Sequence, residues 1–269
     1  QNAQQGSPSD DDPRFYSAQE FHEGLAAAQL EKDGKYGYID KTGNMIIQPR
    51  FYMALNYSEG LAAVWTEKGG KKGYIDNKGN MVIQQKFYFS VDNDFHEGVA
   101  GVALEDNGKI GYIDKKGNMV IQPRFFIADA FHEGLAKVEL EKGGKWGYTD
   151  KKGSMVIQPR FIASDFHEGL ANVELEENGA FGYIDQKGSM VIQPIFYMAH
   201  AFSEGLASVE MEKDGKWGFI DQKGNMVIQP KFYDVSYGFS EELEAVQLEK
   251  YGKWGYIDKS GNMVIGYPH

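Results

Sequence analysis

Four His-Glu dipeptides carry the side chains best suited to chemistry: His22-Glu23, His96-Glu97, His132-Glu133 and His167-Glu168. An imidazole beside a carboxylate can bind a divalent metal or exchange protons. Their setting argues against a metal. Each pair lies inside a recurring Phe-x-Glu-Gly segment, and Ser58, Ser203 and Ser240 fill the His slot in other copies. Ligands one copy apart do not meet the ~2.0–2.1 Å that a zinc ion requires. A second recurring segment, Asp150-Lys151-Lys152-Gly153 in one copy, sets a single carboxylate beside two Lys. Calcium takes about six to eight oxygen ligands, so this Asp reads as a turn cap. The chain has no G-x-S-x-G, no P-loop and no H-E-x-x-H, and its Cys count is 0. Its carboxylates recur in every copy, whereas an active site brings unlike groups together. The expectation is a non-enzymatic protein with no catalytic residue, no metal and no cofactor.

The places where copies differ are more informative. After each Pro-x-Phe comes a variable stretch, such as Tyr52-Met53-Ala54, Tyr88-Phe89-Ser90-Val91, Tyr197-Met198-Ala199-His200 and Tyr233-Asp234-Val235-Ser236-Tyr237. Length changes concentrate here, and in repeat proteins such changes map to one face, often the binding face. The first aromatic residue of each stretch is expected to pack between repeats. Met53, Phe89, Met198 and Tyr237 are expected to contact a ligand, as aromatic and Met side chains do at binding surfaces. Trp65 joins them. Its counterparts are Gln29, Ala103, Glu139, Glu174, Glu210 and Gln247, so an exposed, ligand-binding Trp is one reading. The other is that Trp65 refills volume lost at Lys72, which stands where other copies carry an aromatic or apolar residue.

These residues are positioned by a repeat. The second Gly of Gly-Lys-Trp-Gly falls at Gly37, Gly73, Gly111, Gly147, Gly182, Gly218 and Gly255. Seven of the ten Met share one repeat position: Met45, Met81, Met119, Met155, Met190, Met226 and Met263. Within a copy, Leu135 to Glu141 alternates apolar and polar residues, the mark of a half-buried strand. Lys145 to Thr149 reads as a second strand and Met155 to Gln158 as a third, ended by Pro159. No long helical period appears. Each copy is an antiparallel meander and the chain is all-β.

The Gly-Lys-Trp-Gly-Tyr segment, the D-x-x-G turn, the Val-Ile-Gln-Pro-x-Phe strand and the Phe-x-Glu-Gly-Leu-Ala segment resemble the WG (KWG) repeat of bacterial proteins. The likeness runs from about Phe15 to Ile265 in seven copies. It implies bacterial origin and a modular binding or surface role. Residues 1 to 12 are polar and acidic and read as a disordered arm; residues 13 to 269 read as one domain. The chain opens on Gln1-Asn2-Ala3 without Met, a start left by signal-peptide removal or by artificial truncation.

Two architectures suit a repeat of this size: a closed seven-bladed propeller-like ring and an open β-solenoid. The ring is favoured, because Pro13-Arg14-Phe15-Tyr16 supplies the piece that the last copy lacks after Ile265. The polar residues Lys137, Glu139, Asn172, Glu174, Ser208 and Glu210 argue for a solenoid with one wet face. Lys+Arg is 28 against Asp+Glu 39, a net charge of −11, which disfavours nucleic acid as partner. No apolar run approaches the ~18 residues of a membrane helix, so no membrane insertion is expected. The functional expectation is a secreted or envelope-associated binding or scaffold protein, recognising a glycan or protein through a variable aromatic loop edge. The alternative is a self-assembling subunit of an extracellular filament or surface layer, a homo-oligomer.

Overall fold

The computed structural model describes residues 14–88, 90, 93–176 and 179–266. All regular structure among them is β-strand. The arm expected over residues 1 to 12 lies outside the described residues, as does Phe89. The chain divides into two compact units. One is Gln1–Phe131 with Leu140–Lys142 and Lys151–Gly153; the other is His132–Glu139, Gly143–Asp150 and Ser154–His269.

In the first unit, Leu25–Gln29, Tyr36–Asp40 and Met45–Phe51 form strands A, B and C of one repeat. Leu61–Trp65, Lys72–Ile75 and Met81–Phe87 form the next set, and Val99–Ala103, Ile110–Asp114 and Met119–Phe125 the third. Each set is antiparallel in the order A-B-C. A fourth, leading strand precedes A: Ser17–Ala18 pairs with Leu25–Gln29, and Met53–Ser58 with Leu61–Trp65. The variable stretch after Pro-x-Phe is therefore a strand here, not a loop. Within the strand the neighbours alternate, Met53 exposed and Ala54 pointing into the core.

Three local devices build every repeat. The first is a two-residue hairpin turn. His22 and Leu25 exchange backbone hydrogen bonds of 2.9 and 3.0 Å around Glu23 (φ 52°) and Gly24 (φ 86°), the two positive angles of a type I′ turn. The second is the close approach of strands B and C. The register shifts on both sides of Tyr38, and a Cβ on Gly37 would stand 2.3 Å from the Ile47 carbonyl oxygen. Only glycine fits, which accounts for the invariant second Gly of the motif. The third is the Asp turn. Asp40 Oδ1 accepts the backbone N–H groups of Thr42 and Asn44 at 2.9 and 3.0 Å.

The second unit repeats the pattern with strands Leu135–Glu139, Trp146–Asp150 and Met155–Ala163, then Leu170–Glu174, Phe181–Asp185 and Met190–Phe196. Met155–Ala163 serves both sets. Phe161 stands opposite Trp146, and Ile162 opposite Glu174, so the strands form one continuous sheet. Leu206–Glu210, Trp217–Asp221 and Met226–Phe232 follow, then Glu244–Gln247, Trp254–Ile257 and Met263–Ile265. Met198–Ala199 and Asp234–Val235 are their leading strands.

The wet face expected of strand A is only partly present. Lys137, Asn172 and Glu174 are half-buried, whereas Glu139, Ser208 and Glu210 are buried. Their polar atoms are answered locally: the Gly144 N–H donates to Glu139 Oε1 at 2.9 Å, as Gln29 Nε2 donates to the Gly34 carbonyl at 2.7 Å in the first repeat. A residue at this place fastens the A–B turn, so burial of its polar end is matched by a hydrogen bond.

Candidate functional site

Strand A places one side chain per repeat at its third position: Ala27, Ala63, Gly101, Lys137, Asn172, Ser208 and Ala245. At Lys137, Asn172 and Ser208, all in the second unit, this position turns polar, and the segment leading into the strand sets polar groups against it. Ser164 Oγ donates to Asn172 Oδ1, and Asn172 Nδ2 donates to the Ala199 carbonyl at 2.9 Å. His200 Nδ1 lies 2.9 Å from Ser208 Oγ. The imidazole stacks on Trp217 with ring centroids 4.7 Å apart. Burial holds His200 below the ordinary imidazole range, although a hydrogen bond to the Ser236 backbone and the nearby Asp234 charge oppose this. A neutral ring is favoured. Lys137 Nζ reaches Asp165 Oδ1 at 3.8 Å and lies 4.8 Å from the Trp146 ring centroid.

These groups surround a cavity of about 440 Å³ lined by Asp165, His167, Asn172, His200, Ser203 and Tyr237, among others. Tyr237 is 89% exposed at its rim, with its ring centroid 5.6 Å from that of His200. The cavity thus offers a carboxylate, an amide, a neutral imidazole and a free aromatic face. Among the described residues no group of three His, Cys, Asp or Glu side chains is placed to hold a metal.

The expected ligand residues are distributed unevenly. Tyr237 belongs to this cavity. Met198 is exposed on the leading strand opposite Glu210. In the first unit, Met53 stands opposite Trp65, and both line a hollow of about 210 Å³ with Tyr52, Tyr88 and Asp106. Phe89 lies outside the described residues. The exposed Trp65 is corrected: it is 5% exposed and packs with Leu61, Tyr74, Phe87 and Val102. Lys72 is fully buried, and its Nζ donates to Asn93 Oδ1 at 2.6 Å and to the Gly101 carbonyl at 3.1 Å. The small Gly101 leaves room for that long side chain. Nor does the first aromatic of the variable stretch pack between repeats. Tyr52, Phe126, Tyr197 and Tyr233 are exposed, and Lys35 and Lys216 stand over two of those rings at 5.6 and 3.0 Å.

Sequence reasoning missed Asp165, Asn172 and His200. A signal was available. The third position of strand A is Ala or Gly in four repeats and polar in Lys137, Asn172 and Ser208, three consecutive ones.

Fold and site together define an all-β repeat protein with a propeller-type array of antiparallel sheets. The family model for the WG containing repeat matches residues 12–36, 36–71, 73–107, 110–146, 146–178, 181–217, 217–251 and 254–266. The chain belongs to the WG containing repeat family. No curated protein matches it. Among solved structures it is similar to the dihydro-heme d1 dehydrogenase NirN in complex with DHE, at 12% identity and TM-score 0.52, covering 92% of this chain and 64% of that one. It is also similar to virginiamycin B lyase from Staphylococcus aureus, at 12% identity and TM-score 0.41, covering 89% and 93%. Kluyveromyces lactis Hsv2p follows at 11% identity and TM-score 0.45, covering 76% and 73%.

One expectation is overturned here. Repetition and missing motifs were grounds for a non-enzymatic protein, yet a dehydrogenase shares the fold. Symmetry of the scaffold is no physical bar either. Equivalent positions carry unlike side chains in the second unit, so a repeated scaffold does assemble a mixed set of groups.

Proposed function

We propose that this protein is a binding module whose ligand is a glycan, held at the cavity of Asp165, Asn172, His200 and Tyr237. The carrying observation is the 89% exposed Tyr237 standing over a polar cavity. An aromatic face stacks against the C–H face of a pyranose, while a carboxylate and an amide bond its hydroxyls. A half-buried neutral imidazole adds one hydrogen-bonding nitrogen without a charge that the ligand must desolvate. The cavity volume, about 440 Å³, falls within the range of small-ligand sites.

The test is a glycan array followed by calorimetry on the best hit. Tyr237→Ala and Asp165→Asn should each weaken binding by about tenfold or more, the equivalent of ~1.4 kcal/mol. The melting temperature of Tyr237→Ala should stay unchanged, because the ring is in water. Binding that survives both substitutions overturns the reading. A second reading, a protein partner on the exposed rim of Tyr52, Met53, Tyr197 and Met198, rests on the exposure of those side chains. It is favoured if binding follows Met198→Ser and ignores Tyr237→Ala.

A further inference from the structure

Four departures from the repeat pattern meet at one point inside the first unit. Lys72 stands where the other copies carry Tyr36, Ile110, Trp146, Phe181, Trp217 and Trp254. Among the third positions of strand A, only Gly101 is a glycine. Ser90 replaces the buried alanine seen at Ala54, Ala128 and Ala199. Asn93 lies in the longest variable stretch, with seven residues between Phe87 and Phe95 where the other copies have four to six. Lys72, Ser90 and Asn93 are 0, 3 and 5% exposed. Packing alone does not call for such a set, since the other six copies fill the place of Lys72 with an apolar or aromatic side chain.

The contacts close around one carboxamide. Lys72 Nζ donates to Asn93 Oδ1 at 2.6 Å and to the Gly101 carbonyl at 3.1 Å. The Ser90 N–H donates to the same Oδ1 at 3.2 Å, and Asn93 Nδ2 donates back to the Ser90 carbonyl at 3.0 Å. Ser90 Oγ donates to the Gly101 carbonyl at 2.7 Å and lies 3.3 Å from both Lys72 Nζ and Asn93 Oδ1. Tyr74 Oη donates to the Asn93 main-chain carbonyl at 2.8 Å, which fixes the asparagine from the other side. An amine, a carboxamide and an N–H donor aimed at the carboxamide oxygen are the parts of an acyl transfer.

We propose that Lys72 and Asn93 join in an intramolecular amide bond that the folded chain forms by itself. The neutral amine attacks Asn93 Cγ through its lone pair, and the Ser90 N–H meets the negative charge that develops on Oδ1. A bond forms between Nζ and Cγ, and the bond between Cγ and Nδ2 breaks. The attacking nitrogen gives up one proton and the departing nitrogen takes one, with Ser90 Oγ beside the reacting groups as the relay, so ammonia leaves. Nothing is oxidised or reduced, and no co-reactant enters. Holding amine and amide in contact supplies the effective concentration that this reaction lacks in water. Burial favours the neutral amine that the attack requires. The exchange also removes a cost, because an amine that is charged in water ends as a buried neutral amide whose N–H keeps the Gly101 carbonyl.

A tryptic peptide map of the full chain, read by tandem mass spectrometry, tests this. A linked Lys72 resists trypsin, so residues 72–78 and 87–109 should appear as one branched peptide, lighter by one ammonia than the two parts together. Reading the loss within that peptide separates it from ammonia lost at other Asn or Gln residues. Lys72→Met and Asn93→Ala should each abolish the branched peptide. Ser90→Ala, which installs the residue of the other copies, should slow its appearance in freshly made protein by about tenfold or more, and an equal rate would strike the relay. Cleavage after Lys72 together with an intact Asn93 carboxamide in the unmodified chain overturns the proposal and leaves these contacts as hydrogen bonds alone. So does a branched peptide that survives Asn93→Ala, which would place the link elsewhere.

Discussion

Glu242 is the residue at which this molecule departs from its own rule. Six repeats close the hairpin turn with a glycine at φ between 80 and 88°, whereas the seventh places Glu242 there at φ 67°. A left-handed conformation costs a non-glycine residue roughly 1–2 kcal/mol. In return Glu242 gains an ion pair with Lys259 at 3.1 Å, on a side chain 77% exposed. An exposed pair contributes only about 0.2–1 kcal/mol, so strain wins. Glu242→Gly should therefore raise stability by about 1 kcal/mol in chemical denaturation. Loss of packing does not offset this, because a Cβ placed on the glycines at the matching positions would have nothing within 4 Å to touch. An unchanged or lowered midpoint would show that the ion pair outweighs the backbone. The neighbouring Glu241 also has a positive φ, 52°, as do Glu23, Glu59, Glu97, Glu133, Glu168 and Glu204. The strain at that slot is tolerated because most of these carboxylates reach the next turn's N–H, as Glu133 does to Gly169 at 2.8 Å.

At the scale of the element, the Asp turns make the fold sensitive to acid. The Thr42 hydroxyl first, then the Asn44 N–H, hold Asp40 below the ordinary carboxylate range. The Asn225 side chain does most to lower Asp221, and the Asn262 N–H does most to lower Asp258. For Asp76 and Asp114 partial desolvation is the largest single influence and acts upward. Bonds from Asn80 and Asn118, together with the N–H groups and charges of Lys78 and Lys116, outweigh it, and both groups end lowered. A depressed folded pKa stabilises above the unfolded value, about 3.9 for Asp. That contribution is lost as pH falls through the folded values. The melting temperature should hold from neutrality to about pH 5 and fall below about pH 4. Asp221→Asn should lower it at pH 7, with a gap to the parent chain that narrows in acid. A gap that stays constant with pH would show that the Asp221 charge plays no part.

At the scale of the whole molecule, one tyrosine position reads the contacts between successive repeats. Tyr38, Tyr112 and Tyr183 donate through Oη to carbonyls of Leu55, Asp129 and His200 at 2.6 to 2.7 Å, and Tyr148 to Ser164 at 2.5 Å. Removing a buried donor costs about 1 kcal/mol and leaves the carbonyl unanswered. Tyr148→Phe should therefore lower stability by about 1–2 kcal/mol. Tyr256→Phe should change it by no more than ~0.5 kcal/mol, the usual range for a surface site. Equal effects at the two positions would mean that the Tyr256 hydroxyl is buried in solution as Tyr148 is. Phe219 already stands at this position in one repeat, so the ring itself is compatible with the missing hydroxyl.

The strands, turns and repeat boundaries were legible in the sequence because they depend on neighbours close in the chain. Alternation marks strand A, Asp and Gly mark the turn, and Gly147 is required by the approach of the Ile157 carbonyl, 2.5 Å from a Cβ placed there. Repetition multiplied each of these local signals seven times. The site was legible only in part. Tyr237 could be singled out as an aromatic residue in a variable stretch, but Asp165, Asn172 and His200 come together through pairing between successive repeats. Burial was the other matter left to tertiary structure. Trp65, Lys72 and Ser208 look alike as departures from the pattern, yet their environments were decided by groups brought in from other parts of the chain: the Phe87 and Val102 cluster around Trp65, Asn93 and the Gly101 carbonyl at Lys72, and His200 at Ser208. A repeat sequence dictates what each copy does to itself, whereas side chains from different copies meet only once the sheets are packed.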